Sequence, residues 1–139
     1  MRVLGLDLGS KTLGMAQSDL LGVIASSIGT YRFLENQYEI AVDYIINYIK
    51  DNNINEVVIG MPKHMNGDIG IRGNISLDFG NKIKEILDIK VVYQDERLTT
   101  KSANSILISG NVKRAKRKQV VDQLAATIIL QTYLDTKNR

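Results

Sequence analysis

Cysteine is absent from the 139 residues, which excludes disulfides and any thiolate-ligated metal. There is one histidine, His64. It stands alone in a polar stretch and reads as solvent-exposed, so no metal role is assigned to it. No apolar run is long enough to cross a bilayer. The opening Met1-Arg2 leads straight into an apolar stretch, without the small-residue cleavage site of a secretory leader. A cytoplasmic protein with no membrane attachment is therefore expected. Internal repeats and low-complexity tracts are also missing.

What is present suits one domain, residues 1–139, with a real core: 44% of the residues are hydrophobic. The net charge is +3 but uneven. Lys113, Arg114, Lys116, Arg117 and Lys118 place five positive charges in one short segment, and subtracting those five leaves −2 for the remainder. A near-neutral body with one concentrated basic patch attracts polyanions better than the same charge scattered.

The most informative stretch is Val3-Leu4-Gly5-Leu6-Asp7-Leu8-Gly9. It reads as a buried strand ending in glycine. Side chains alternate along a strand, so Val3, Gly5 and Asp7 share one face and Leu4, Leu6 and Leu8 the other. A carboxylate there costs several kcal/mol unless it is compensated. Gly5 beside it leaves room for close approach, read here as the approach of a ligand.

Ser10-Lys11-Thr12, between Gly9 and Gly14, reads as a hairpin turn into a second strand, Leu13 to Ser18. Asp19 to Gly22 is another turn, and a third strand covers Val23 to Tyr31. The three form an antiparallel meander. The period then changes: Tyr38, Ala41, Val42, Ile45, Ile46 and Ile49 predict a helix over Asn36 to Asp51. Val57 to Met61 is a buried strand closed by Pro62. Lys63 to Gly73 is a polar loop carrying Lys63, His64 and Arg72, of a length often found in functional loops. Ile75 to Leu87 is read as a helix and Lys90 to Tyr93 as a strand. Thr99 or Thr100 caps a helix to Ile108, stopped by Ser109-Gly110-Asn111. A last helix spans about Lys118 to Leu134. The order β-β-β-α-β-α-β-α-α predicts a five-stranded mixed sheet with helices on its faces, an α/β or α+β domain.

Three acidic positions converge in this scheme. Asp7 lies near the end of the first strand, and Asp95 and Glu96 follow the last. Sites in open α/β sheets form at the carboxyl ends of parallel strands, so parallel pairing brings Asp7 and Glu96 together. Asp122 shares a helical stripe with Ala125, Ala126, Ile129 and Tyr133 that packs on the sheet. At about 5 Å and an effective dielectric near 20, each carboxylate pair repels by roughly 3 kcal/mol. Three pairs cost on the order of 10 kcal/mol, comparable to the stability of a whole domain. Protons or cations must neutralise such a cluster. Oxygen ligands without cysteine favour Mg²⁺ or Mn²⁺ over Zn²⁺. Two such ions about 3.5–4 Å apart clamp the attacking and leaving oxygens of a phosphodiester.

Each signal also has a plainer reading. Asp7 serves an Asx-turn with Gly9. Asp95 and Glu96 are surface charges, one paired with Arg97. Asp122 pairs with Lys118 one turn back, and the basic run is a solvated helix start.

Four motifs together resemble a known family. Leu6 to Ala16 is similar to the opening motif of the YqgF/RuvX family of Holliday junction resolvase-like proteins, also described as pre-16S rRNA nucleases. Val58 to Pro62 with Met65-Asn66-Gly67 resembles its central motif. Asp95 to Thr100 resembles its most distinctive hexapeptide, and Lys118 with Val121 to Ala126 its closing motif. The matches run in order across essentially the whole chain. Lys63-His64 departs from the smaller or apolar residues usual before the central turn.

The resemblance implies an RNase H-like fold whose second strand is antiparallel to the others. It also implies a metal-dependent nuclease that matures the 5′ end of small-subunit ribosomal RNA. Asp7 would bridge two Mg²⁺ (or Mn²⁺) ions, with Glu96 and Asp122 each holding one side and Asp95 in reserve for Glu96. Lys11 and Arg97 would hold the scissile phosphate, while Lys113, Arg114, Lys116, Arg117 and Lys118 track the flanking backbone of a structured or precursor RNA, or of branched DNA. Phosphate contacts position a substrate without reading its sequence, so recognition of shape or single-stranded character is expected.

Two rival classes share some of these features. A nucleic-acid-binding protein without catalysis would use the patch and leave the acids structural. An actin-like phosphotransferase opens with a similar Asp-x-Gly but needs two domains, for which the chain is too short. Within the nuclease class, a junction resolvase would be a symmetric dimer. The sequence leaves monomer and homodimer open.

Overall fold

A computed structural model describes residues 2–63, 67, 69–96 and 114–138, the stretch 114–123 by its helical backbone alone. Its strands are β1 (Arg2–Leu8), β2 (Thr12–Ser18), β3 (Ala25–Arg32), β4 (Ile54–Met61) and β5 (Lys90–Asp95). The described helices are α1 (Tyr38–Asp51), α2 (Ile71–Ile86) and, last in the chain, α3 (Arg114–Lys137). The helix expected from Thr99 or Thr100 to Ile108, with its stop at Ser109 to Asn111, lies outside the described residues, as do His64, Met65 and Asn66.

The sheet order is β3-β2-β1-β4-β5. β2 runs antiparallel to β1 and to β3, while β1, β4 and β5 are mutually parallel. This is the five-stranded mixed sheet of the RNase H-like arrangement. The parallel crossovers put β4 between β1 and β5, and all three point their carboxyl ends the same way.

Strand alternation decides what each face buries. Leu4, Leu6 and Leu8 of β1 join Leu13, Val57 and Ile59 beneath α1 and α2. From α1 this core takes Ala41, Val42, Ile45, Ile46 and Ile49, the stripe its period predicts. Val3, Ala16 and Val58 face the other way, against Ala126, Ile129, Leu130 and Leu134 of α3. A fully buried Leu or Ile contributes roughly 1.5–3 kcal/mol, so these two cores hold the helices to the sheet.

Several boundaries differ from the sequence expectation. β3 begins at Ala25 rather than Val23 because the Asp19 carboxylate accepts from Val23 N (2.7 Å) and Ile24 N (3.0 Å), widening the turn. β4 begins at Ile54, directly after the left-handed Asn53 (φ 53°). α2 begins at Ile71, so the loop after β4 ends earlier than Gly73. Gly73 is buried inside α2, where a Cβ would strike Ile69 and lie 3.0 Å from Pro62 O. That glycine serves close packing, not loop conformation. α3 begins at Arg114, so the basic residues from Arg114 to Lys118 fall within its first turns.

Gly5 also has a different task from the one expected. The space above it belongs to α3: a Cβ there would lie 2.7 Å from Leu130 Cβ and 3.1 Å from Ala126 O. The glycine admits a helix, not a ligand, and so brings α3 down onto β1.

Candidate active site

The carboxyl ends of β1, β4 and β5 form one row. Asp7 is the penultimate residue of β1 and pairs in register with Gly14 of β2. On β4, Met61 pairs with Asp95, and its carbonyl accepts from Glu96 N at 3.2 Å. That bond continues the β4–β5 ladder one residue beyond the strand and fixes where Glu96 leaves the sheet.

Both acidic side chains turn to the α3 face. A Cβ on Gly60 would collide with Glu96 Oε2 and lie 2.5 Å from Ile129 Cδ1, so the Glu96 carboxylate lies over the bare backbone of Gly60. A Cβ on Gly14 would sit 3.6 Å from Asp7 Cβ and 3.7 Å from Ala126 Cβ. Asp7 and Glu96 meet there and share a side-chain hydrogen bond. Burial, followed by the charges of Asp7 and Asp95, pushes the Glu96 carboxyl up to about 7, against the opposing charge of Arg72. Near neutral pH such a pair shares a proton.

Asp122 occupies α3 one turn before Ala126, about 6 Å along the axis. α3 runs from the Asp7 end of the sheet toward Glu56 near the start of β4, as the contacts of Ala126 with the Gly14 row and of Lys137 with Glu56 (2.9 Å) require. The Asp122 backbone is therefore on the side of Ala126 where the carboxyl ends of the strands lie; its side chain is outside the described residues. So are Arg97, Lys113 and the side chains of Arg114, Lys116, Arg117 and Lys118. Lys11 is exposed in the turn between β1 and β2. That turn is tied down by Gly9 N to Thr12 O (2.7 Å) and Asn36 N to Ser10 O (2.9 Å).

Arg72 is the residue that sequence reasoning left out of the site. It counted only as a loop cation, yet α2 aims it back across the sheet. Its Nη2 donates to Leu8 O (3.1 Å) and its Nη1 to Tyr38 Oη (3.1 Å). One guanidinium thus secures the residue after Asp7 and lowers the electrostatic cost of the Asp7–Glu96 pair. Nothing in the local sequence signals this, because it depends on where α2 docks.

The donor set suits a hard divalent cation: carboxylate oxygens, one holding a proton that a cation would displace. Among the described residues, no three His, Asp or Glu side chains gather as a complete metal site. No described helix is long and apolar enough to cross a membrane.

Relatives share this chain over nearly its full length. A protein of Lactococcus lactis subsp. cremoris (strain SK11) named "Putative pre-16S rRNA nuclease" is 48% identical over 134 residues, 96% of this chain and 94% of its own. One of the same name from Bacillus mycoides (strain KBAB4) is 45% identical over 137 residues, 99% of this chain and 100% of its own. Among solved structures, T. thermophilus RuvC in complex with Holliday junction substrate superposes with a TM-score of 0.61 at 14% identity, covering 99% of this chain and 95% of that one. Fowlpox virus resolvase with its Holliday junction DNA gives 0.55 at 12% identity, over all of both chains. These two likenesses establish the RNase H-like fold. With residues 1–136 matched by the family's sequence model, the chain belongs to the RuvX family, described as Holliday junction resolvase.

Proposed function

We propose that this protein is a divalent-metal-dependent nuclease, one RNase H-like domain over residues 1–139, that hydrolyses phosphodiester bonds in 5′-end processing of pre-16S ribosomal RNA in the cytoplasm. The observation that carries the reading is the hydrogen-bonded Asp7–Glu96 pair at the carboxyl ends of β1 and β5. A half-buried pair of carboxyl groups in contact is costly for a protein that has no use for it. The names of the full-length relatives supply the substrate.

Asp7, Glu96 and Asp122 would hold Mg²⁺ or Mn²⁺, two ions in all, with Asp95 next to Glu96 as the alternative ligand. When bound, the ions supply Lewis acidity at the attacking and leaving oxygens. The chain's own residues do the rest. Asp7 and Glu96 share a proton that they would release to make room for a divalent cation. Arg72 holds the Leu8 carbonyl, and with it the end of β1, in place. Lys11 and Arg97 orient the scissile phosphate. The run Lys113, Arg114, Lys116, Arg117 and Lys118 binds the flanking backbone without reading bases.

The test compares wild type with Asp7→Asn on a structured RNA precursor and on a four-way DNA junction, with Mg²⁺, with Mn²⁺ and with chelator. Metal-dependent RNA cutting that the substitution abolishes, with binding retained, is the expected result. Paired symmetric cuts in the junction alone would give the substrate to DNA and imply a dimer. Tight binding with no cutting of either would refute the nuclease reading in favour of a binding module.

A further inference from the structure

Just past the carboxyl end of β4, at the start of α2, a cleft of about 390 Å³ is lined by Pro62, Lys63, Gly70, Ile71, Arg72 and Gly73. That volume lies in the range of small-molecule sites. Its position ties it to the chemistry. Pro62 and Lys63 directly follow Met61, the residue whose carbonyl accepts from Glu96 N. Arg72 reaches from the cleft wall to Leu8 O, next to Asp7. The charge of Arg72, in the cleft wall, also acts on Glu96.

The lining pairs two kinds of surface. Lys63 and Arg72 bring positive charge. Pro62 and Ile71 bring apolar area, and Ile71 is left 80% exposed. Among the described residues, the lining carries no amide, hydroxyl or carboxylate side chain.

We propose that this cleft is a nucleotide subsite: one nucleotide flanking the scissile phosphate lays its base against Ile71 and Pro62 and turns its phosphate toward Lys63 and Arg72. The assignment rests on the nuclease reading above. A base can lie flat on an apolar wall only when it is unpaired, so the cleft selects single-stranded character at one position.

The experiment is fluorescence anisotropy with a labelled single-stranded RNA in chelator, where nothing is cut. Ile71→Ser and Lys63→Gln are compared with wild type, and Leu21→Ser, in the exposed turn between β2 and β3, is the control. Losing the apolar contact or the charge is expected to raise Kd by about fivefold. Leu21→Ser leaves Kd unchanged, and Ile71→Ser does not alter binding of fully duplex RNA. An unchanged Kd for Ile71→Ser, or the same loss on duplex, overturns the subsite. Thermal midpoints of the variants confirm folding, which is expected because Ile71 packs on little. Cleavage with Mg²⁺ is read separately: if wild type cuts nothing, the nuclease reading fails while the binding comparison still decides the cleft.

Discussion

Replacing Glu96 with glutamine should stabilise the metal-free protein at alkaline pH, because it removes a charge the fold disfavours. Burial and the charges of Asp7 and Asp95 raise the Glu96 carboxyl from its ordinary 4.5 to about 7. Between those values the unfolded chain has released this proton and the folded chain still holds it. Stability therefore falls as pH rises from about 4.5 through about 7. At about 1.36 kcal/mol per pH unit the loss comes to about 3 kcal/mol, which for a chain this size is on the order of 10 °C in Tm. Glu96→Gln carries no proton to lose. It should match wild type near pH 4.5 and exceed it by up to about 3 kcal/mol above pH 8. Urea denaturation in chelator, from pH 4.5 to 8.5, gives the difference directly. Millimolar Mg²⁺ should then restore wild type at pH 8 and leave Glu96→Gln less affected, since cation binding releases the same proton. Parallel pH profiles for the two proteins would refute the account of a half-buried, proton-sharing pair.

Three further outcomes follow from other parts of the molecule. Gly60→Ala puts a methyl group where Glu96 Oε2 and Ile129 Cδ1 already lie; it should cut kcat/KM more than about tenfold while costing only about 1–3 kcal/mol of stability, read by cleavage assay and urea denaturation together. Tyr133→Phe removes hydrogen bonds of 2.8 and 3.0 Å to the buried Glu56 carboxylate and should cost about 1.5–3 kcal/mol. Burial pushes Glu56 up, but the bonds from Lys137 and Tyr133 hold it below its ordinary 4.5; the cost of Tyr133→Phe should thus be present above about pH 4.5 and shrink as pH falls through the lower folded value. Neutralising Lys116 and Arg117 together should weaken nucleic-acid binding at every sequence and reduce the slope of log affinity against log salt by about 0.7–0.9 per lost contact; an unchanged slope would remove these residues from the binding surface.

Much of the fold could be read from local pattern. The alternation in β1 sent Asp7 to one face and Leu4, Leu6 and Leu8 to the other, and the structure has them so. The three- and four-residue spacing in α1 named its buried stripe. Glycine and charge misled where their role was not local. Gly73 looked like loop and is the packing face of α2. Arg114 to Lys118 carry no apolar period, so the periodic stripe starts the last helix only at Lys118; the backbone is helical from Arg114, as the reading of the run as a solvated helix start has it, since solvated cations cost a helix little. Gly5 looked like ligand space and holds α3.

The residue types alone set the chemistry available: carboxylates, one basic run, no thiol and a single imidazole. Their alternation sets which strand residues share a face. That Asp7 and Glu96 share a hydrogen bond next to the bare backbone of Gly60, and that Arg72 reaches the end of β1, follows from packing alone. Those meetings join residues 89 and 64 positions apart in the chain. They depend on parallel pairing through β4 and on how closely helices dock, and neither leaves a periodic trace in any local stretch of sequence.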